Sequence, residues 1–311
     1  MAVARGDGAR PAGKVAAARL SVISNTLLVL GKLAVGFGIG SVAVLSEAVH
    51  SATDLVAAVI AYFAVRAADA PPDDRHPYGH GKFEALSSLI EGILIFVAAG
   101  VIAVSAVRSL FGGTHAHTPV WGMVAMGVSA AVNIGVARRL FRVARETESP
   151  ALEADAHHLM TDVWTSAAVF VGLGLVAATG EARFDPLVAL GVAFMVVRTA
   201  SGICRDAVGF LLDGRLPDDE IEVVEGILRG DGRVLSYHKL RSRRSGGERH
   251  VDVHIQVDDD LSLREAHALT EDLEDRIRKA LPGMEVVIHT EPFEEERRHH
   301  EEVEHPRGRH G

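Results

Sequence analysis

Two apolar stretches of the sequence carry histidine and aspartate at the same spacing. In the first stretch His50 is followed four positions later by Asp54, and in the second His158 is followed four positions later by Asp162. Residues four apart lie on one face of an α-helix, so each pair can present an imidazole nitrogen and a carboxylate oxygen together. Two such helices supply four ligands, a complete tetrahedral shell for a borderline-soft ion such as Zn²⁺. We therefore predict that these four residues form a metal site.

An acidic residue precedes each pair by about one helical turn. Glu47 stands three positions before His50, and Asp155 stands three positions before His158. An ionisable side chain at the centre of a membrane-spanning helix costs about 2.5–3.5 kcal/mol on insertion scales, so those that persist usually face a polar pathway. Glu47 and Asp155 are predicted to orient the ligands or to line an ion path. The alternative is that each forms a hydrogen bond to a neighbouring helix.

A second group of possible ligands lies in a stretch rich in proline, glycine, aspartate and histidine, residues 66–84. This stretch is predicted to be a cytoplasmic loop. It contains Asp73, His76 and His80, and the His-x-x-x-His spacing can hold one metal ion on a turn. The alternative is that the prolines and glycines only shape a solvated loop.

A third group of possible ligands lies in the C-terminal part of the chain. It comprises four residues on predicted strands and one on a predicted helix: His238, His254, His289 and Glu291, with His267. Strand alternation places the aliphatic residues of 251–257 on one face and His254 on the opposite, polar face. The alternative is that these histidines are simply exposed. The chain has one cysteine, so histidine and carboxylate must hold any metal bound within it.

Six largely apolar blocks of roughly membrane-spanning length position the first group. They predict six transmembrane helices: Leu20–Ile39, Val42–Val65, Ala85–Val107, Val120–Val136, Val163–Ala178 and Pro186–Val197. The first block is not a cleaved signal peptide, since it contains Lys32 and a second span follows closely. Arginine and lysine collect before the first span and in the loops after the second and fourth, so both termini are predicted to be cytoplasmic.

The rest of the sequence predicts a small α+β domain with the element order αββαβ. We expect residues 1–14 to be disordered, 15–205 to form the six-helix transmembrane domain and 206–293 to form the soluble metal-binding domain. Residues 294–311 should be a flexible tail, whose histidines could weakly collect metal: His299, His300, His305 and His310. The net charge of −9, with no basic stripe outside the loops, argues against nucleic acid as a partner.

Several motifs resemble those of the cation diffusion facilitator family of metal/proton antiporters. They are LSEAVHSATDL, HPYGHGKFEALSSLIEG, AHHLMTDVWTS and VVIHTEP, and the resemblance covers essentially residues 15–293. It implies a homodimer with six transmembrane helices per chain, cytosolic termini and a metallochaperone-like αββαβ domain. It also implies that His50, Asp54, His158 and Asp162 are the transport site, from which metal leaves the cytosol as protons move inward.

The same resemblance implies roles for the remaining groups. The two His–Asp pairs are similar to those of zinc-preferring members, and the loop residues match a second metal site. The five soluble-domain residues match a two-metal regulatory site between protomers, although Glu291 stands where the best-studied pattern has aspartate and could bridge ions or bind only one. Lys82 and Asp213 match a charge pair that joins the membrane and cytosolic parts of the dimer. His250 matches no role.

The sequence therefore predicts export of a divalent metal, zinc above all, across the cell membrane of a bacterium (the inner membrane). No covalent chemistry is needed, so we expect no enzymatic activity and no cofactor besides bound Zn²⁺ or a similar ion. Export of iron, cobalt, cadmium or manganese is one alternative, because nitrogen and oxygen ligands do not exclude them. A membrane-anchored metal sensor is another, although an anchor has no use for four buried ligands.

Overall fold

The computed structural model describes residues 9–40, 42–112, 120–181, 183–245 and 248–294, which fall into two compact units divided after Leu211. The first unit contains six helices that are long and apolar enough to cross a membrane. They are α1 (Ala9–Ile39), α2 (Val42–Ala68), α3 (Lys82–Gly112), α4 (Val120–Thr147), α5 (Pro150–Thr179) and α6 (Phe184–Leu211). The six predicted transmembrane helices are confirmed.

The six helices pack mainly as three pairs, α1 with α2, α3 with α6 and α4 with α5, while α5 also contacts α3 and α6. Small residues permit close approach, as at Gly92 of α3, where a Cβ atom would lie 2.6 Å from the Cys204 sulfur of α6. Large aliphatic and aromatic side chains cover the outer surfaces, as in Leu27, Val101 and Phe194. Such a surface suits lipid, which is as apolar as the side chains that face it.

A buried ionic network ties together the N-terminal ends of three helices. Glu84 of α3 is 1% exposed and accepts from the Lys14 ammonium of α1 at 3.0 Å. Its other carboxylate oxygen accepts from the hydroxyl of Ser149, which caps α5 by accepting from the Leu152 amide. Pro150 follows the cap at the first helical position, where its missing N–H costs nothing.

This network explains one difference from the sequence prediction. We expected disorder through residue 14, but α1 begins at Ala9 and Lys14 is buried, because its charge is neutralised by a residue seventy positions later in the chain. The domain boundary also lies later than residue 205, since α6 continues to Leu211. Apolar blocks underestimate helix length because transmembrane helices extend beyond the apolar segment. Residues 1–8 and 295–311, including the four tail histidines, lie outside the described part of the chain.

The second unit has the predicted αββαβ order. Its elements are α7 (Asp218–Arg229), β1 (Ser236–Ser245), β2 (Glu248–Val257), α8 (Leu263–Ala280) and β3 (Met284–Pro292). The sheet order is β1-β2-β3, with β2 antiparallel to β1 and parallel to β3. The two helices are amphipathic, and their apolar faces, including Leu273 of α8, cover one face of the sheet around Val253 and Ile255 of β2. The opposite face of the sheet is left polar.

Candidate metal sites

The four predicted transmembrane ligands come together between α2 and α5. The imidazole of His50 lies 3.6 Å from Asp162 Oδ1, and the imidazole of His158 lies 3.3 Å from Asp54 Oδ1. Each contact therefore joins one helix to the other. Ligand atoms of His50, Asp54 and Asp162 lie within 4.8 Å of one another. Asp54 and His158 are buried, whereas the His50 side chain is half exposed, so the group faces a space that is open on one side.

That space is a polar cavity of about 70 Å³ among α1, α2, α4 and α5. A single water needs only about 10–15 Å³ by this measure, so the cavity can admit a partly hydrated ion. Its polar lining includes Asn25, Ser129, Thr165 and Ser166 besides three of the four ligands. An ion in this cavity could exchange water for protein oxygen and nitrogen.

Two further residues hold the cavity's carboxylates. Asn133 of α4 donates from its side-chain amide to Asp162 Oδ2 at 3.4 Å. Lys32 of α1 donates to Ser51 at 2.8 Å and lies 3.4 Å from Glu47. Sequence reasoning missed both roles, although an asparagine and a lysine within apolar blocks are the kind of signal that could have found them. Glu47 also lines the cavity, with Lys32 as its partner, and its role on an ion path remains a prediction.

Asp155 does not line this cavity. It is 1% exposed, and the Ser21 hydroxyl of α1 lies close to its carboxylate. It lies one turn before His158 on α5 and interacts with its charge. The prediction that it orients a ligand or lines a path remains a prediction.

The loop between α2 and α3 brings Asp73, His76 and His80 together. His76 Nδ1 lies 3.2 Å from Asp73 Oδ1 and 3.1 Å from His80 Nε2, while His80 Nε2 lies 3.5 Å from Asp73 Oδ2. The His76 amide donates to Asp73 at 2.6 Å, and this hydrogen bond, with another from the Arg75 amide, lowers the pKa of the Asp73 carboxyl. The carboxylate is therefore ionised and turned toward both imidazoles, as a metal ligand must be.

In the second unit three histidines surround one carboxylate on the polar face of the sheet. His238, His254 and His289 are partners in register across β1, β2 and β3. Glu291 lies 3.1 Å from His238, 2.5 Å from His254 and 3.7 Å from His289. Burial raises the pKa of Glu291, but the hydrogen bond with His254 and the nearby charges of His238 and Lys239 together lower it below its usual range.

His267 stands apart from this cluster within the chain. It lies on α8 and its imidazole is 3.5 Å from Glu271, one turn further along the same helix. Its assignment to a site between protomers therefore remains a prediction. His250 lies opposite Arg243 in the sheet and gains no role from this placement.

Comparison with known protein families gives matches over most of the chain. Residues 18–212 match the family described as cation efflux transmembrane domain, and residues 216–293 match the family described as cation efflux protein, cytoplasmic domain. The chain belongs to the cation diffusion facilitator family. It is therefore a multi-pass membrane protein of a family that exports divalent metal cations, and its first and second units are the family's transmembrane and cytoplasmic domains.

Relatives match over most of their length. An uncharacterized transporter of Synechocystis is 36% identical over 257 residues, which are 82% of this chain and 83% of the relative. The cation-efflux pump FieF of Citrobacter koseri is 33% identical over 276 residues, 89% of this chain and 92% of that one. The metal-bound C-terminal domain of the CzcD transporter from Thermotoga maritima is 31% identical, covering 24% of this chain and 87% of that one with a TM-score of 0.23.

Lys82 and Asp213 were predicted to link the two domains, and each contacts a residue of its own unit. Lys82, at the start of α3, donates to the Leu211 carbonyl at 3.3 Å, and Asp213 lies 3.4 Å from the Arg243 guanidinium. The charge pair between Lys82 and Asp213 remains a prediction.

Proposed function

We propose that this chain exports zinc from the cytosol through His50, Asp54, His158 and Asp162, in exchange for inward-moving protons. The observation that carries the proposal is that two imidazoles and two carboxylates from α2 and α5 meet in cross-helix pairs beside a polar cavity within the membrane domain. Two nitrogens and two oxygens match the preference of Zn²⁺ for tetrahedral mixed coordination. Harder ions such as Mn²⁺ favour oxygen alone.

Proton exchange follows from the chemistry of the same ligands. Zinc binds neutral imidazole and ionised carboxylate, so metal binding displaces protons from the site. The transport site faces the cytosol in one state and the opposite side of the membrane in another. Protons can therefore enter the cytosol as metal leaves it. This cycle forms and breaks no covalent bond, so the protein acts as a secondary transporter and not as an enzyme.

The other groups serve this transport in a homodimer of the bacterial inner membrane with cytoplasmic termini. The loop cluster of Asp73, His76 and His80 binds a second ion, and the cytoplasmic-domain cluster senses cytosolic metal. In that domain one carboxylate serves three imidazoles, so bound zinc would add positive charge. This charge would neutralise acidic surface on each protomer and draw the cytoplasmic domains of the two protomers together.

Flux measurements on purified protein in liposomes test the proposal. Zinc transport should require ions on the side that the cytoplasmic domain faces. It should acidify that side and make the opposite compartment, which zinc enters, more alkaline, and a preset pH gradient should change its rate. The Asp162→Asn variant is the control for leak. Equal or greater flux of Mn²⁺, Fe²⁺, Co²⁺ or Cd²⁺ in the same vesicles would assign the protein to another ion. Zinc flux indifferent to the pH gradient would refute proton exchange.

A further inference from the structure

One polar residue of α4 lies next to a proposed ligand of the transport site. Asn133 is 4% exposed, and its side-chain NH2 group donates to Asp162 Oδ2 at 3.4 Å. This distance is at the long end for an N–H···O hydrogen bond, and such contacts often tighten once a ligand is bound. The carbonyl oxygen of Asn133 is buried and does not border the cavity. Asn133 therefore acts through Asp162 and is not itself a metal ligand.

The packing of the helices keeps these two side chains together. The α4 residues that line the cavity are spaced so that they share one helix face: Met126, Ser129, Ala130 and Asn133. Asp162 lines the same cavity from α5, and α4 and α5 form one of the three main helix pairs. The hydrogen bond between Asn133 and Asp162 is therefore part of the cavity wall.

The two oxygens of Asp162 face different partners. Oδ2 faces the Asn133 amide, while Oδ1 lies 3.6 Å from the His50 imidazole. Ligand atoms of His50, Asp54 and Asp162 lie within 4.8 Å of one another, so an ion held among them can use Oδ1. A carboxylate can bind a metal ion through one oxygen or through both. With Oδ2 engaged by Asn133, Asp162 offers a single oxygen.

The number of oxygens that a site offers decides which ions fit it. Zn²⁺ is most often bound by a small, tetrahedral set of ligands, whereas larger ions take more ligands and favour oxygen. A carboxylate that binds through both oxygens raises the coordination number and suits an ion such as Cd²⁺ or Mn²⁺. A carboxylate restricted to one oxygen suits Zn²⁺.

We propose that Asn133 is a specificity-determining residue of the transport site. By holding Oδ2 of Asp162, it restricts this carboxylate to one oxygen and so favours zinc over larger divalent ions. The proposal rests on the proposed function in one respect, namely that Asp162 is a ligand of the transported ion.

Ion affinities of the purified full-length protein test this role. The reference protein carries His76→Ala and Glu291→Gln, which disable the loop and cytoplasmic clusters. Adding Asn133→Leu, which removes the donor, should raise the Kd for zinc about tenfold while changing the Kd for Cd²⁺ and Mn²⁺ by less than about a factor of two. Equal changes for all three ions, or no change for any, would overturn the proposal, because either result means that Asn133 does not discriminate between ions.

Two further variants control this measurement. Val132→Ala changes an exposed neighbour on α4 that does not line the cavity, so it should leave all three Kd values unchanged. Asn133→Ser, which is smaller and still polar, replaces Asn133→Leu if the latter fails to fold, and it should shift the ion ranking in the same direction. An unshifted ranking in a folded Asn133→Ser protein would also overturn the proposal.

Bound Co²⁺ gives a readout that a purely structural role would not change. Tetrahedral Co²⁺ absorbs visible light more strongly than Co²⁺ with more ligands, so Asn133→Leu should lose intensity per bound ion, and an unchanged spectrum would overturn the proposal. Adding Asp162→Asn to the reference protein separates this inference from the proposed function. If Asp162→Asn leaves zinc affinity unchanged, the proposed function fails as well. If it abolishes zinc binding while Asn133→Leu shifts no ranking, only the inference fails.

Discussion

The proposed transmembrane ligands and the proposed cytoplasmic-domain ligands both combine histidine with carboxylate, but in different frameworks. In the membrane, His50, Asp54, His158 and Asp162 lie on two helices that no backbone hydrogen bond joins. In the cytoplasmic domain, His238, His254 and His289 are neighbours across a hydrogen-bonded sheet. Helices can slide or tilt against each other, but strand register is set by the ladder. The first framework can therefore change its ligand geometry during transport, and the second can hold a fixed one.

The two proposed sites also differ in their ratio of carboxylates to imidazoles. The membrane site has one carboxylate for each imidazole, whereas the cytoplasmic cluster has three imidazoles around Glu291. A site of balanced composition can release its ion when protons arrive. A histidine-rich site on a rigid sheet is suited to reporting metal concentration.

Removing a transmembrane carboxylate should have the largest effect. Asp54→Ala or Asp162→Ala should abolish zinc transport while leaving a folded dimer, because each removes one of four ligands. Flux into liposomes and gel filtration measure the two properties. His157→Gln is the matched control, since that neighbouring imidazole packs against Phe141. Near-normal flux in either aspartate variant would show that the site lies elsewhere.

Changing the donor type should alter selectivity without abolishing transport. His50→Asp should broaden transport toward iron, cadmium or manganese, because a hard oxygen replaces a borderline nitrogen. Competition between zinc and each ion during flux measures the ranking. An unchanged ranking would count against His50 as a ligand.

Removing two cytoplasmic imidazoles should have a smaller effect on transport. His254→Ala combined with His289→Ala should reduce flux at low zinc but not at high zinc, because it weakens sensing and spares the transport site. Spin labels on α8 of each protomer should approach on zinc addition in the parent and not in the double variant. If the variant's domains still close as the parent's do, these histidines have no regulatory role.

The smallest effect concerns stability of the cytoplasmic domain. Asp231 is nearly buried and accepts from Arg233 at 2.8 Å and from Arg276 at 2.7 Å, and these hydrogen bonds, Arg233 first, hold its pKa well below the usual range. Asp231→Asn should lower the free energy of unfolding by about 2 kcal/mol at neutral pH. A carboxyl group with a depressed pKa stabilises the folded state fully at pH values above its unfolded pKa of about 3.9. That stabilisation is lost progressively as the pH falls below this value toward the folded-state pKa. Chemical denaturation should therefore show the difference shrinking below about pH 4, and an equal difference at pH 3 and pH 7 would contradict the assignment.

Local periodicity was sufficient to predict much of this molecule. Four-residue spacing on helices selected four residues that come together between α2 and α5, and strand alternation placed His254 on the polar face. Local periodicity could not predict contacts between segments that are distant in the sequence. Nothing local to Lys14 indicates that Glu84 neutralises it, so disorder was predicted where a helix forms. Nor does local sequence align three histidines across a sheet, because register depends on the pairing of strands far apart in the chain.

Lys32 has a consequence for the electrical behaviour of the transporter. With their carboxylates ionised, Glu47, Asp54 and Asp162 bring three negative charges to the cavity, and the Lys32 ammonium leaves a net charge of −2. A bound divalent ion then makes the loaded cavity neutral, so the membrane potential does little work on the export step. A cavity that returns with two protons is neutral as well, whereas one that returns with fewer protons moves charge through a field worth about 2.3 kcal/mol per elementary charge per 100 mV. The voltage dependence of the return half of the cycle should therefore report how many protons the cavity carries, and replacing Lys32 with a neutral residue would add one negative charge to both halves.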